Sequence, residues 1–100
     1  MKKVFVQGLG FVGSAMLAAV AQSKNQNGDP NYHVVGVDLD NPLGSSRVAS
    51  INKGEFPFPT SDNNLIESLL ESHRIGNIEA TTEDNRFDEA DIIVVDIPLD

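Results

Sequence analysis

The chain has no cysteine and no tryptophan among its 100 residues. Without thiols it has no disulfide, no thiolate metal site and no nucleophilic thiol of its own. Basic residues are scarce: seven lysines and arginines stand against fifteen aspartates and glutamates, a formal charge of −8. Nucleic acid and anionic membrane surfaces both require a basic face, so neither is an expected partner. Any phosphate-bearing ligand would have to be held by backbone dipoles rather than by lysines. No apolar run approaches the ~18 residues of a membrane span, and there are no internal repeats or low-complexity tracts. The 40% apolar and 22% charged composition is that of a globular domain, expected in the cytoplasm, and the length allows one domain at most.

What is present is concentrated in the first 22 residues. Val4, Phe5 and Val6 suit a buried strand, and Gly8, Gly10 and Gly13 follow in the G-x-G-x-x-G spacing that opens a dinucleotide-binding βαβ unit. Gly8 is suited to the tight turn off the strand, Gly10 to close approach of a pyrophosphate, and Gly13 to close packing of the helix on the sheet. The backbone N–H groups of the first helical turn, around Phe11 to Ser14, would face the anion. A secretory signal is the competing reading, since Met1-Lys2-Lys3 precedes an apolar stretch and Ala18-Ala19-Val20-Ala21. Gln7 and three glycines interrupt its apolar region, which argues against it.

Asp38 supplies the context that the glycines need. It closes the apolar run from His33 to Val37, about 20 to 25 residues past the last glycine, where a carboxylate accepts hydrogen bonds from both adenosine ribose hydroxyls. Its charge would repel a 2′-phosphate, and no lysine or arginine follows before Arg47. NAD is therefore the expected cofactor rather than NADP.

The rest of the chain alternates strand and helix. The first helix is expected over Phe11 to Ser23, with Val12, Ala15, Met16, Ala19 and Val20 inward. Lys24 to Tyr32 reads as a loop. A second helix over Leu43 to Lys53 would start at Ser45 or Ser46, turn Val48 and Ile51 inward, and stop at Gly54. Phe56-Pro57-Phe58-Pro59 must be an extended connector. Ser61 or Asp62 would cap a third helix with the stripe Leu65, Ile66, Leu69 and Leu70, ended by Gly76. Asn77 to Thr81 is a third strand, Thr82 to Glu89 a short capped helix burying Phe87, and Asp91 to Ile97 a fourth strand. Right-handed crossovers predict a partial, Rossmann-like α/β fold: a parallel sheet of about four strands in order 3-2-1-4 with helices on both faces. Ile97 and Pro98 would then stand beside the glycines at the ligand-binding edge.

These motifs, taken together, resemble the N-terminal NAD-binding domain of the nucleotide-sugar dehydrogenases, the UDP-glucose and GDP-mannose dehydrogenases. The resemblance covers nearly the whole chain: GLGFVG at Gly8 to Gly13, VVGVDLD at Val34 to Asp40, RVASINKGEFPF at Arg47 to Phe58, GNIEATTE at Gly76 to Glu83, and ADIIVVDIP at Ala90 to Pro98. It implies oxidation of the C6 alcohol of a nucleotide sugar to a carboxylate with two NAD. It also implies that the catalytic cysteine, lysine and aspartate lie in later sequence, so this chain is expected to be a fragment of a longer dehydrogenase and inactive alone. The cofactor roles it carries over fall on Gly8, Gly10, Phe11, Val12, Gly13 and Asp38, and on Ile97 and Pro98. Three positions depart from the family pattern: Leu99 replaces a threonine, Asp96 a small or apolar residue, and Thr60 a glutamate.

Two other functions compete with this one: another NAD-dependent reductase of hydroxy acids or sugars, and a non-catalytic nucleotide-sensing or interaction module. His33 and His73 are isolated in sequence, so no metal site is expected. The acidic run from Glu83 to Asp91 reads as a solvated helix face. An unpaired, apolar outer edge on the fourth strand would favour a homo-oligomer.

Overall fold

A computed structural model describes residues 1–96. Four apolar stretches become parallel strands, β1 (Lys2–Gln7), β2 (Tyr32–Val37), β3 (Ile78–Thr81) and β4 (Ile92–Val95), in the expected spatial order β3-β2-β1-β4. The register sets Val4 between Val34 and Ile92, and Val6 between Gly36 and Val94. The connections carry helices α1 (Phe11–Ala21), α2 (Pro42–Asn52) and α3 (Asn63–Ile75), and a 3₁₀ turn at Asp84–Glu89. No described helix is long and apolar enough to cross a membrane.

Strand alternation divides the apolar residues between two layers. On one face Val4, Val6, Val34, Ile78 and Ala80 pack against Leu17, Ala18 and Ala21 of α1, Ile51 of α2 and Leu69 of α3. On the other, Phe5, Val35 and Val37 are covered by Phe87 and Ala90, with the Phe5 and Phe87 rings 5.6 Å apart. Helical cover lies on both faces, but unequally: three α-helices on one and the 3₁₀ turn on the other.

Polar side chains pin that smaller cover in place. Glu79 on β3 accepts from Arg86 of the 3₁₀ turn and lies 2.8 Å from His33 Nε2 on β2, while Arg86 also holds Glu89, which in turn meets Lys3 Nζ at 3.3 Å. Burial works to raise the Glu79 pKa, but the hydrogen bonds from Arg86 and His33 outweigh it and hold the carboxyl below its ordinary value. Part of the acidic run expected to be merely solvated is thus paired to the sheet.

Several expected details differ. The inward face of α1 is Gly13, Ser14, Leu17, Ala18 and Ala21; Val12 and Ala19 are exposed, and Ala15, Met16 and Val20 are half-buried. The helix is apolar all round, so periodicity did not orient it, and the contact made by Gly13 does. α2 begins at Pro42, not after Ser45 or Ser46, because Asn41 caps it by accepting from the Gly44 N–H at 2.7 Å. In α3, which Asp62 caps, Leu69 is buried whereas Ile66 is 40% exposed. The segment after β3 is a 3₁₀ turn rather than an α-helix, and Phe87 in it is half-buried.

Candidate functional site: the glycine turn and its carboxylate

β1 ends in the middle of the sheet, and the chain must turn at once to lay α1 back over it. Gly8 makes that turn with φ of +99°, and a Cβ there would stand 2.0 Å from the Asp96 carbonyl oxygen. Its N–H donates to the Val37 carbonyl at 2.8 Å, tying the turn to the end of β2. Gly13 meets the turn from the helix side: a Cβ would lie 1.9 Å from the Gly8 carbonyl oxygen. That contact draws the first turn of α1 onto the sheet edge. Gly36 plays the matching part in β2, where a Cβ would crowd Leu9 and Leu17 side chains at 2.7 and 3.0 Å.

Gly10 is different, because a Cβ on it would meet nothing within 4 Å. It is the N-cap of α1, in extended conformation and with no side-chain cap. The first helical hydrogen bond runs from the Ser14 N–H to the Gly10 carbonyl at 2.9 Å. Among the described residues no acceptor serves the N–H groups of Phe11, Val12 and Gly13. Three amides at the positive end of a helix are therefore left without an acceptor, those of Phe11 and Val12 on exposed residues and that of Gly13 on a buried one. Ser14 drops out of the expected set, since its N–H is used and its buried hydroxyl donates to the Leu9 carbonyl at 3.1 Å.

Asp38 lies at the end of β2 beside this turn. Its Oδ2 accepts from the Leu9 N–H at 3.1 Å and its Oδ1 from the Leu39 N–H at 2.7 Å. Arg47 Nη1 of α2 approaches Oδ2 at 3.5 Å, and the Arg47 guanidinium also lies over the Phe58 ring, 5.1 Å from its centroid. A carboxylate offers ~4 acceptor positions, so Asp38 retains capacity for a ligand hydroxyl. The side chain is 11% exposed. Asp38 is not remote from basic residues, as its sequence neighbours implied: α2 brings Arg47 to it. Next to the turn, Phe11 packs against Phe56 and Phe58 with ring centroids 5.3 and 5.8 Å away.

Gly8, Gly10, Phe11, Val12, Gly13 and Asp38 are thus brought together at the C-terminal edge of β1 and β2. Ile97 and Pro98 lie outside the described residues. Sequence reasoning missed Arg47, Leu9 and Phe58 as neighbours of Asp38. Nothing in the local pattern pointed to Arg47 or Phe58, whereas Leu9, inside the fingerprint, was within reach of inference.

A family model described as the UDP-glucose/GDP-mannose dehydrogenase family, NAD binding domain, matches residues 2–99. The chain belongs to this family. It corresponds to the family's NAD-binding domain, as the fingerprint and Asp38 lead one to expect. No curated protein matched the chain in sequence. Among solved structures, it is similar to an NDP-N-acetyl-D-galactosaminuronic acid dehydrogenase from Methanosarcina mazei Go1, with 23% identity and a TM-score of 0.85 over 98% of this chain and 20% of that one. A GDP-mannose dehydrogenase from Pseudomonas aeruginosa gives 21% identity and a TM-score of 0.76, covering 95% of this chain and 19% of the other. A UDP-D-ManNAc dehydrogenase from Pyrococcus horikoshii gives 19% and 0.67, covering 95% and 20%. At these identities the likeness is one of fold, and the chain spans about a fifth of each solved relative.

Proposed function

We propose that this chain is the cofactor-binding unit of a nucleotide-sugar 6-dehydrogenase, which oxidises a sugar C6 alcohol to a carboxylate. The observation that carries the reading is the pairing of three acceptor-less amides, on Phe11, Val12 and Gly13, with a carboxylate 3.1 Å from the intervening Leu9 N–H. Amides at a helix N-terminus suit a diphosphate, and a carboxylate at the end of the second strand suits a ribose diol. The described residues fit an adenosine diphosphate moiety in these two respects. When bound, NAD supplies the hydride acceptor; this chain's part is to hold and orient it.

In this proposal Gly8 and Gly13 shape the turn, Gly10 leaves room for the diphosphate, Phe11 and Val12 contribute backbone amides, and Asp38 accepts from the ribose. Ile97 and Pro98 are proposed at the same edge on the family resemblance alone. The nucleophile and the sugar-binding groups are supplied by a further polypeptide segment, so the 100-residue chain alone binds NAD without turnover. The free edge of β4, with Ile93 and Val95 50% and 56% exposed, supports self-association of the isolated chain.

Isothermal titration with NAD tests the cofactor reading directly. Saturable binding that weakens in Asp38→Ala is the expected result. No heat at millimolar NAD would leave the non-catalytic interaction module as the better reading.

A further inference from the structure

Asp96 follows β4 two residues after Val94, a residue packed against the α1 layer. Strand alternation sends its side chain to that same face. Its backbone is held there, since its N–H donates to the Gln7 carbonyl at 2.8 Å and its carbonyl oxygen closes on Gly8. Its carboxylate then lies against the first turn of α1: Oδ2 is 3.0 Å from where a Cβ of Gly13 would stand. Gly13 carries one of the three amides assigned above to a diphosphate. A full negative charge therefore borders the space in which a second, doubly negative group would have to settle.

We propose that Asp96 sets the affinity of the glycine turn for diphosphates, opposing them by charge while leaving the adenosine end of the site untouched. The inference rests on the cofactor reading given above. It follows from how the two groups share one environment. The helix dipole that favours a diphosphate favours the Asp96 carboxylate as well, and like charges a few ångströms apart repel strongly where solvent screening is incomplete. The half-buried Asp96 thus acts as a resident competitor, and ligands with a diphosphate bear its cost whereas neutral adenosine does not. Replacement by an uncharged side chain of the same size removes the repulsion without reshaping the turn.

The test is calorimetric titration of the 100-residue chain, its Asp96→Asn variant and its Asp96→Ser variant with NAD, ADP and adenosine, at low and at 0.5 M added salt as roughly the screened limit. Both variants should bind NAD and ADP about tenfold more tightly than the parent at low salt, with adenosine changed by less than about twofold. Added salt should shrink the gap. Equal NAD and ADP affinities in parent and variants, with far-UV circular dichroism unchanged, would overturn the role of Asp96 while leaving the cofactor reading intact. An equal gain for adenosine would also overturn it, since that marks a change of shape rather than of charge. Absence of NAD binding in all three chains would bring down the cofactor reading and this inference with it.

Discussion

The side-chain amide of Asn52 clasps the backbone of Ala80, donating to its carbonyl at 3.0 Å and accepting from its N–H at 2.9 Å. Asn52 is the last residue of α2, and Ala80 lies on β3, which is an outer strand of the sheet. One side chain therefore satisfies both hydrogen-bonding groups that a further strand would have taken, blunting an edge that would otherwise be open to pairing.

Replacing Asn52 by alanine should cost about 1–3 kcal/mol, the range for two hydrogen bonds of modest net value. Urea denaturation followed by circular dichroism would show it as a lower midpoint with an unchanged slope. A midpoint equal to that of the parent would mean that water replaces the clasp without loss.

Gly10 and Gly13 should separate affinity from stability. Gly10→Ala places a methyl group in open space at a backbone conformation that alanine adopts, so its stability should fall by less than about 1 kcal/mol, the scale of an N-cap change. Its NAD affinity should fall at least about tenfold, because the methyl projects where the diphosphate is proposed to lie. Gly13→Ala drives a methyl against the Gly8 carbonyl and should lose about 2–3 kcal/mol by overpacking. Paired thermal melts and NAD titrations read both quantities, and a Gly10→Ala chain that binds NAD like the parent would remove Gly10 from the site.

Asp38→Ala should weaken NAD at least about tenfold, as expected when hydrogen bonds to a charged acceptor are lost. ADP should suffer similarly, and free nicotinamide mononucleotide, which has no adenosine, should not. Competition titrations distinguish these ligands, and equal losses for all three would indicate collapse of the turn through the Leu9 N–H.

The Glu79 pairs give a pH signature. Its carboxyl is held below the ordinary value of 4.5 in the folded chain, so the unfolded state takes up protons first as pH falls. The stabilisation is fully present above about pH 5 and is lost as acid takes the pH through and below 4.5. Glu79→Gln should therefore be less stable than the parent at pH 7, by about 1 kcal/mol for partly exposed pairs. The gap should narrow progressively as the pH falls below 4.5, which urea midpoints measured from neutral pH downward would follow.

The strands and their order were legible because Val4 to Val6, His33 to Val37 and Ile92 to Val95 are short apolar runs separated by helical stretches. Asp62 and Gly76 marked the ends of α3 by local chemistry that survives in the fold. The inward face of α1 was not legible. Its residues are apolar on nearly every side, and the close contact that seats its first turn, Gly13 on Gly8, joins two residues that lack side chains. Arg47 against Asp38, and Asn52 against Ala80, depend on how α2 lies across the sheet, which no local pattern encodes. The direction of Asp96, in contrast, was available from alternation two residues past an inward Val94.

Of the four described strands β1 leaves the ribosome first, yet one of its two neighbours leaves last of the four. Val4 pairs with Val34 and with Ile92, so the tunnel must release 88 more residues before the second partner of Val4 exists. At about 5–20 residues per second that wait lasts about 4 to 18 s, during which an apolar strand has one bare flank. Nascent copies on a shared message would be most prone to sticking together in that interval, and slowing translation would lengthen the hazard rather than relieve it.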